Sequence, residues 1–111
     1  MVPLSSDKLS VIIPTYNERE NIPIIIPRLS SILKGRDIPF EILVMDDNSP
    51  DGTYEAVKEV SKEYPEAKCI VRKKNRGLSP SVMDGYARAD GDVLLVMDAD
   101  LSHPVEGVPD L

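Results

Sequence analysis

Four short apolar runs punctuate the chain: Leu9 to Ile13, Glu41 to Met45, Lys68 to Val71 and Asp92 to Met97. They are rich in Val, Ile and Leu and lack clean polar alternation, which suits strands covered on both faces. Twenty or more residues separate each run from the next, the length of crossover connections rather than hairpins. The fold class that follows is α/β: a mostly parallel sheet, four strands in this chain, with helices on both faces and right-handed connections.

The intervening stretches carry helical signals. The first, about Asn21 to Leu33, aligns Ile22, Ile25, Ile26, Leu29, Ile32 and Leu33 before Gly35 closes it. Pro27 in its interior lacks an N–H and crowds the carbonyl of Pro23, which predicts a late start or a kink. The second runs from about Gly52 to Tyr64, with Tyr54, Val57, Val60 and Tyr64 in a stripe, Asp51 or Thr53 to cap it and Pro65 to end it. The third opens at Ser79-Pro80 and turns Val82, Met83, Tyr86 and Ala89 inward before Gly91 stops it.

In such sheets ligands bind at the carboxyl ends of the strands. Three of the four exits are chemically unusual: Pro14-Thr-Tyr-Asn-Glu18, Asp46-Asp-Asn-Ser-Pro-Asp-Gly52 and Asp98-Ala-Asp-Leu-Ser102. Residues two apart on an extended chain point to one side, so where the chain stays extended Asp98 and Asp100 face a common point. Two such charges repel unless a hard cation sits between them and a polyanion, and carboxylate oxygens suit Mg²⁺ or Mn²⁺. The competing reading makes one aspartate the cap of a helix begun by Pro104 and leaves the other solvated. At the second exit, one of Asp46 and Asp47 can accept hydrogen bonds from a base or ribose while the other holds the following turn. The alternative is that Asp46 to Gly52 is all turn and cap chemistry. The first exit offers a ring, a hydroxyl, an amide and a carboxylate to a nucleoside, or else is a polar loop leading to an Asn21 cap. The basic run Arg72 to Arg76 can reach phosphates, although a solvated loop accounts for most of its members. His103 stands alone, and one histidine makes no zinc site.

Charge narrows the choice of ligand. A net charge of −6 argues against nucleic acid as a partner, and a bridging cation is what lets so acidic a chain hold a diphosphate. A length of 111 residues allows one domain with one core. Its one cysteine, Cys69, lies in an apolar-flanked run and permits no internal disulfide, so a small core side chain in a reduced, intracellular setting is the simpler reading. No stretch approaches the roughly 20 apolar residues that span a bilayer, and the N-terminus has no leader pattern.

With these residues placed, the chain resembles the nucleotide-binding half of the family 2 glycosyltransferases, and among them the dolichyl-phosphate mannose synthase subgroup. The matching pieces are Val11-Ile-Ile-Pro-Thr-Tyr-Asn-Glu-Arg-Glu-Asn21, Asp46-Asp-Asn-Ser-Pro-Asp-Gly-Thr53, Gly77-Leu-Ser79 with Gly85, and Gly91-Asp92 through Met97-Asp-Ala-Asp-Leu-Ser-His-Pro104. The resemblance implies a GT-A (Rossmann-like) fold. It also implies inverting, metal-dependent transfer of mannose from GDP-mannose to a membrane-embedded dolichyl or polyprenyl phosphate, by a protein peripheral to the cytoplasmic face of a membrane. By the same resemblance Pro14, Tyr16 and Glu18 line the nucleoside pocket, Met45 and Asp47 lie at the base and ribose, and Asp98, Ala99 and Asp100 lie along the diphosphate. Asp98, Asp100 and Ser102 are then the ligands of Mg²⁺ or Mn²⁺, with Asp100 the firmest. Ser102 stands where some members have a glutamine, and it reaches less far. No protein base is assigned, because the acceptor phosphate oxygen is itself the nucleophile. Catalytic domains of the family are longer, so residues 1–111 are expected to be a truncated nucleotide-sugar-binding half, inactive in transfer on its own.

Two other classes compete. A phospho-acceptor receiver domain shares this size and alternation but carries an acid pair after its first strand and a lysine after its fifth. Here the first run ends Pro14-Thr-Tyr and no fifth run follows. The remaining alternative is a non-catalytic nucleotide-binding or assembly fragment that pairs through an open sheet edge, with homo-oligomerisation left open.

Overall fold

The computed structural model describes residues 8–74 and 76–99. Asp100, Ser102, His103 and Pro104, singled out above, lie outside the described residues. Seven elements alternate along the chain: β1 Leu9–Thr15, α1 Ile22–Gly35, β2 Phe40–Asp46, α2 Thr53–Val60, β3 Ala67–Val71, α3 Leu78–Arg88 and β4 Val93–Val96. The strands pair in parallel in the order β3-β2-β1-β4. The sheet therefore grows one way from β1 to β3 and the other way to β4. A crevice opens outside the carboxyl ends at such a reversal. Thr15 lies in register with Asp46, and the Met97 N–H donates to the Ile12 carbonyl at 3.1 Å. The exits of β2, β1 and β4 are thus side by side.

The lack of polar alternation in the β1 and β2 runs is explained by burial on two faces. Val11, Ile13, Ile42 and Val44 pack with Ile22, Ile25, Ile26, Leu29 and Leu33 of α1 and Val57 of α2. Ile12, Leu43 and Met45 point the other way, toward α3. Each fully buried aliphatic side chain is worth about 2 kcal/mol, so this two-sided core carries most of the stability.

Several expectations need correction. Helix α1 starts at Ile22 without delay: Pro23 falls in the first turn, where an N–H has no intrahelical partner. The Glu18 and Asn21 carbonyls take the N–H groups of Asn21, Ile22, Ile24 and Ile25 instead. The helix runs on through Pro27, whose missing bond is offset by burial of Ile25, Ile26 and Leu29 around it. Helix α2 stops at Val60 rather than near Tyr64, and turns on the Val60 carbonyl carry the chain to Tyr64.

In α3 the buried residues are Ser81 and Gly85, while Met83 and Tyr86 are exposed. The cause is proximity. A Cβ at Gly85 would lie 2.7 Å from Ile12 Cγ2, so the helix sits too near the sheet for a large side chain at that contact. Its N-cap is Gly77, at φ 123°, and not Ser79. Strand β4 is not covered on both faces: Val93, Leu94 and Val96 are exposed, because α3 packs over β1 and β2 and leaves the edge strand open.

At the amino end of the sheet a polar relay joins distant segments. Glu41, buried in β2, accepts from Ser10 Oγ at 2.6 Å and from the Asp90 N–H at 2.7 Å, and Ser10 Oγ accepts from the Gly91 N–H at 2.8 Å. Among the described residues, no helix is long and apolar enough to cross a membrane.

Candidate functional site

The exits of β1 and β2 form one braced unit. Asp46 is 1% exposed; its Oδ1 accepts from Thr15 Oγ1 at 2.7 Å and Ser49 Oγ at 2.6 Å, and its Oδ2 accepts from the Ser49 N–H at 2.9 Å. Ser49 Oγ in turn accepts from the Asn17 N–H at 2.8 Å, Thr53 Oγ1 from the Glu18 N–H at 3.2 Å, and Asp51 Oδ2 from the Arg19 N–H at 3.2 Å. Three successive N–H groups of one loop therefore end on side chains of the other. Asn17 and Asn48 take left-handed backbone at φ 58° and 60°, a conformation asparagine tolerates. Turn and cap chemistry thus accounts for Asp46, Ser49, Asp51 and Thr53. Asp51 Oδ1 takes the Thr53 N–H at 3.0 Å, satisfying the start of α2 that glycine at the N-cap cannot.

Asp47 sits on the other side of the β2 exit. Its Oδ1 accepts from Arg72 at 2.6 Å and its Oδ2 from the Gly77 N–H at 2.7 Å. Arg72, whose side chain is 5% exposed, also reaches Asp84 of α3 at 3.3 Å, and its backbone N–H donates to the Asp46 carbonyl at 2.6 Å. Lys73, Lys74 and Arg76 of the basic run are exposed, and Arg72 is the exception among its described residues, a buried tie between β2, β3 and α3. Arg72 directly follows a strand run, the position at which such sheets gather functional residues. Arg76, four residues on, lies with its guanidinium 5.2 Å from the centre of the Tyr16 ring.

The remaining candidates divide. Tyr16 is 51% exposed and Glu18 half-buried, and Pro14 leads into them from β1. Glu18 accepts from Asn21 Nδ2 at 3.0 Å and lines a cleft of about 350 Å³ together with Asn17, Arg19, Glu20, Asn21 and Asp51. Met45 is fully buried with Ile12 and Leu43, so its side chain lies beneath the surface at the site and does not line it. Beyond β4, Met97 and Ala99 are buried with the α1 face while Asp98 between them is exposed. Ala99 already lies in a turn, and the expected pairing of Asp98 with Asp100 falls outside the described residues. Among the described residues no three His, Cys, Asp or Glu side chains gather as a metal site.

Among the described residues, two groups titrate away from their ordinary values. Partial burial raises the Asp51 carboxyl, but hydrogen bonds from the Thr53 side chain and from the Arg19 and Thr53 backbones outweigh it and hold the group low. Burial pushes the Cys69 thiol up to about 12, with the charges of Asp46 and Glu55 adding to the effect. Cys69 is an inert, partly buried thiol.

Comparison with known proteins fits this geometry. The family model described as glycosyl transferase family 2 matches residues 10–111. A dolichol-phosphate mannosyltransferase of Pyrococcus furiosus is 52% identical over 94% of this chain and 29% of its own length. One of Mycosarcoma maydis is 40% identical over 96% of this chain and 38% of its own length. The chain thus spans well under half of these relatives. Among solved structures, a mannosyltransferase from Pyrobaculum calidifontis in complex with GDP-Man and Mn²⁺ superposes with a TM-score of 0.73 at 25% identity, covering 98% of this chain and 32% of that one. A glucosyl-3-phosphoglycerate synthase from Mycobacterium tuberculosis shares the fold, with a TM-score of 0.75 at 24% identity over 96% of this chain and 38% of its own. The architecture is that of GT-A glycosyltransferases. By its strand exits, its fold and the family model that spans them, the chain belongs to glycosyl transferase family 2.

Proposed function

We propose that the chain is the donor-nucleotide half of a glycosyltransferase that moves mannose from GDP-mannose to a dolichyl or polyprenyl phosphate, with inversion and with a divalent cation. Transfer is proposed for the whole protein, and donor binding for this chain. The observation that carries the proposal is the contrast among strand-exit carboxylates. Asp46, Asp47 and Asp51 are each committed to two or more protein donors. Asp98 is exposed, stands at the switch point beside the β1 exit, and has no hydrogen bond or ion pair among the described residues.

An unengaged carboxylate of this kind suits a hard cation that takes its other ligands from a diphosphate, the usual mode for Mg²⁺ and equally open to Mn²⁺. Asp98 fits that role, and Asp100 and Ser102 are the proposed companions. When bound, the cation offsets the charge that develops on the departing GDP. The chain's own residues do the rest of the donor side. Tyr16 offers a ring face to the base, Pro14, Glu18 and Asp47 border the nucleoside, and the braced loops under Asp46 hold them in place before the ligand arrives. In the transfer, an acceptor phosphate oxygen forms the bond to the mannose anomeric carbon as the bond to the GDP oxygen breaks. The relatives named for dolichol-phosphate mannosyl transfer support that acceptor.

Calorimetric titration of GDP, UDP and GDP-mannose with and without Mn²⁺, repeated on Asp98→Asn, tests the proposal. GDP and GDP-mannose should bind in a Mn²⁺-dependent way that Asp98→Asn weakens. Indifference to nucleotide, metal and substitution together would sink it. The exposed apolar face of β4 favours one other reading, a nucleotide-binding chain that associates along that strand without transferring sugar; a concentration-dependent mass by light scattering, with no mannosyl transfer by the whole protein, would select it.

A further inference from the structure

Arg76 has no part in the donor site described so far, yet it touches the ring at the centre of that site. Arg76 follows β3 and Tyr16 follows β1, and β2 separates those strands in the sheet. Contact across that gap requires the loop after β3 to be drawn over the β1 exit. The means are visible. The Gly77 N–H, adjacent to Arg76, is fastened to Asp47 at 2.7 Å, and Asp47 is itself gripped by Arg72 at 2.6 Å. Neither Tyr16 nor Arg76 is a core residue; both are exposed. Core packing therefore does not impose their approach.

A guanidinium over a phenol ring at 5.2 Å is a slot almost closed on itself. A planar base in van der Waals contact with both faces needs about 7 Å between them. An exposed cation–π contact is worth only about 0.5–1 kcal/mol, so the flexible arginine side chain opens the extra space at little cost. Both walls present delocalised planes, the surfaces on which nucleobases stack.

We propose that Arg76 and Tyr16 are the two walls of the nucleobase slot: the base of the donor enters between guanidinium and ring, and Asp47 with Arg72 sets the position of the Arg76 wall. The inference rests on the donor-nucleotide reading above and assigns that site a binding residue it did not include.

The test is titration of GDP, and separately of inorganic pyrophosphate, in the presence of Mn²⁺ on the unsubstituted chain, Arg76→Ala and Arg76→Lys, with thermal unfolding to verify that the fold is kept. Both substitutions should weaken GDP about fivefold or more and leave pyrophosphate unchanged, since lysine keeps the charge but not the plane. Full rescue by lysine, or an equal loss on pyrophosphate, assigns Arg76 to the phosphates and overturns the slot. Unchanged GDP binding in Arg76→Ala overturns it too, and tighter binding marks the arginine as a plug. Absence of any GDP binding by the unsubstituted chain is a different failure, because it removes the donor site itself.

Discussion

Thr15 and Asp46 face each other at the last step of the β1–β2 ladder, and the Thr15 hydroxyl donates to Asp46 Oδ1 at 2.7 Å. The same carboxylate holds Ser49 twice, and Ser49 holds Asn17. Asp46→Ala leaves the buried Thr15 hydroxyl and two Ser49 donors without their acceptor. Hydrogen bonds to charged groups contribute about 1.5–3 kcal/mol each and do not add fully, so a loss of about 3 kcal/mol is expected in urea unfolding. A change under about 1 kcal/mol would contradict a bracing role for Asp46.

Gly85 and Gly91 should be intolerant for different reasons. At Gly85 an added Cβ meets only the side chain of Ile12, at 2.7 Å. At Gly91 it meets Ser10 Oγ, the Lys8 carbonyl at 2.7 Å and the Ser10 N at 2.8 Å, two of them backbone atoms that cannot step aside. Gly85→Ala should cost about 1–3 kcal/mol, as other overpacked cores do, and should cost less in an Ile12→Ala background, which lacks the Cγ2 that the new Cβ meets. Gly91→Ala should cost more, and by the same amount with or without Ile12→Ala. Equal losses, measured as urea midpoints at constant slope, would show that backbone contact is not what distinguishes them.

The contrast between those glycines also marks what could be read from the chain. Uniform apolar runs at Val11 to Ile13 and Ile42 to Val44 identify strands buried on two faces, because burial is a property of the run itself. The inward face of α3 could not be read the same way. There the closest approach belongs to Ser81 and Gly85, and hydrophobicity directs attention to Met83 and Tyr86, which stay in solvent. The exits were recognisable as a site because they cluster acids after strands, but not the division of labour within them. Asp46 and Asp47 are adjacent and identical, and only pairing with Ser49 on one side and Arg72 on the other tells brace from post. Arg72 and the Ser10–Glu41 pair share a cause for being missed: their partners are distant in sequence, and a charged residue by itself gives no sign of being buried.

Asp51 gives the chain a predictable acid response. Its folded carboxyl titrates below the ordinary value of 3.8 because hydrogen bonds from Thr53 and Arg19 outweigh burial. A depressed folded value means that stability from this group is present above the unfolded value and is lost as pH falls through the folded one. Urea midpoints of the native chain and Asp51→Asn should differ by a constant amount at neutral pH. That difference should shrink on acidification below the ordinary aspartate value. A gap that stays the same into strong acid would mean the carboxylate is not the form that Thr53 and Arg19 hold.

Arg72 links stability to ligand binding, and its two functions can be separated. The side chain is 5% exposed and bridges Asp47 at 2.6 Å and Asp84 at 3.3 Å. Removing one member of a buried charge pair leaves the other uncompensated, so Arg72→Ala should cost about 3–5 kcal/mol. Arg72→Lys keeps the positive charge but has no planar fork to hold Asp47 and Asp84 in one geometry. It should therefore recover a large part of the stability. It should not recover GDP affinity, because Asp47 must be held in place to fasten Gly77 and carry Arg76 over Tyr16. The checks are urea unfolding and GDP titration with Mn²⁺ on the native chain and both variants. If Arg72→Lys restores stability and affinity in equal proportion, Arg72 supplies charge alone and the geometry of the Asp47 post does not govern the nucleotide site.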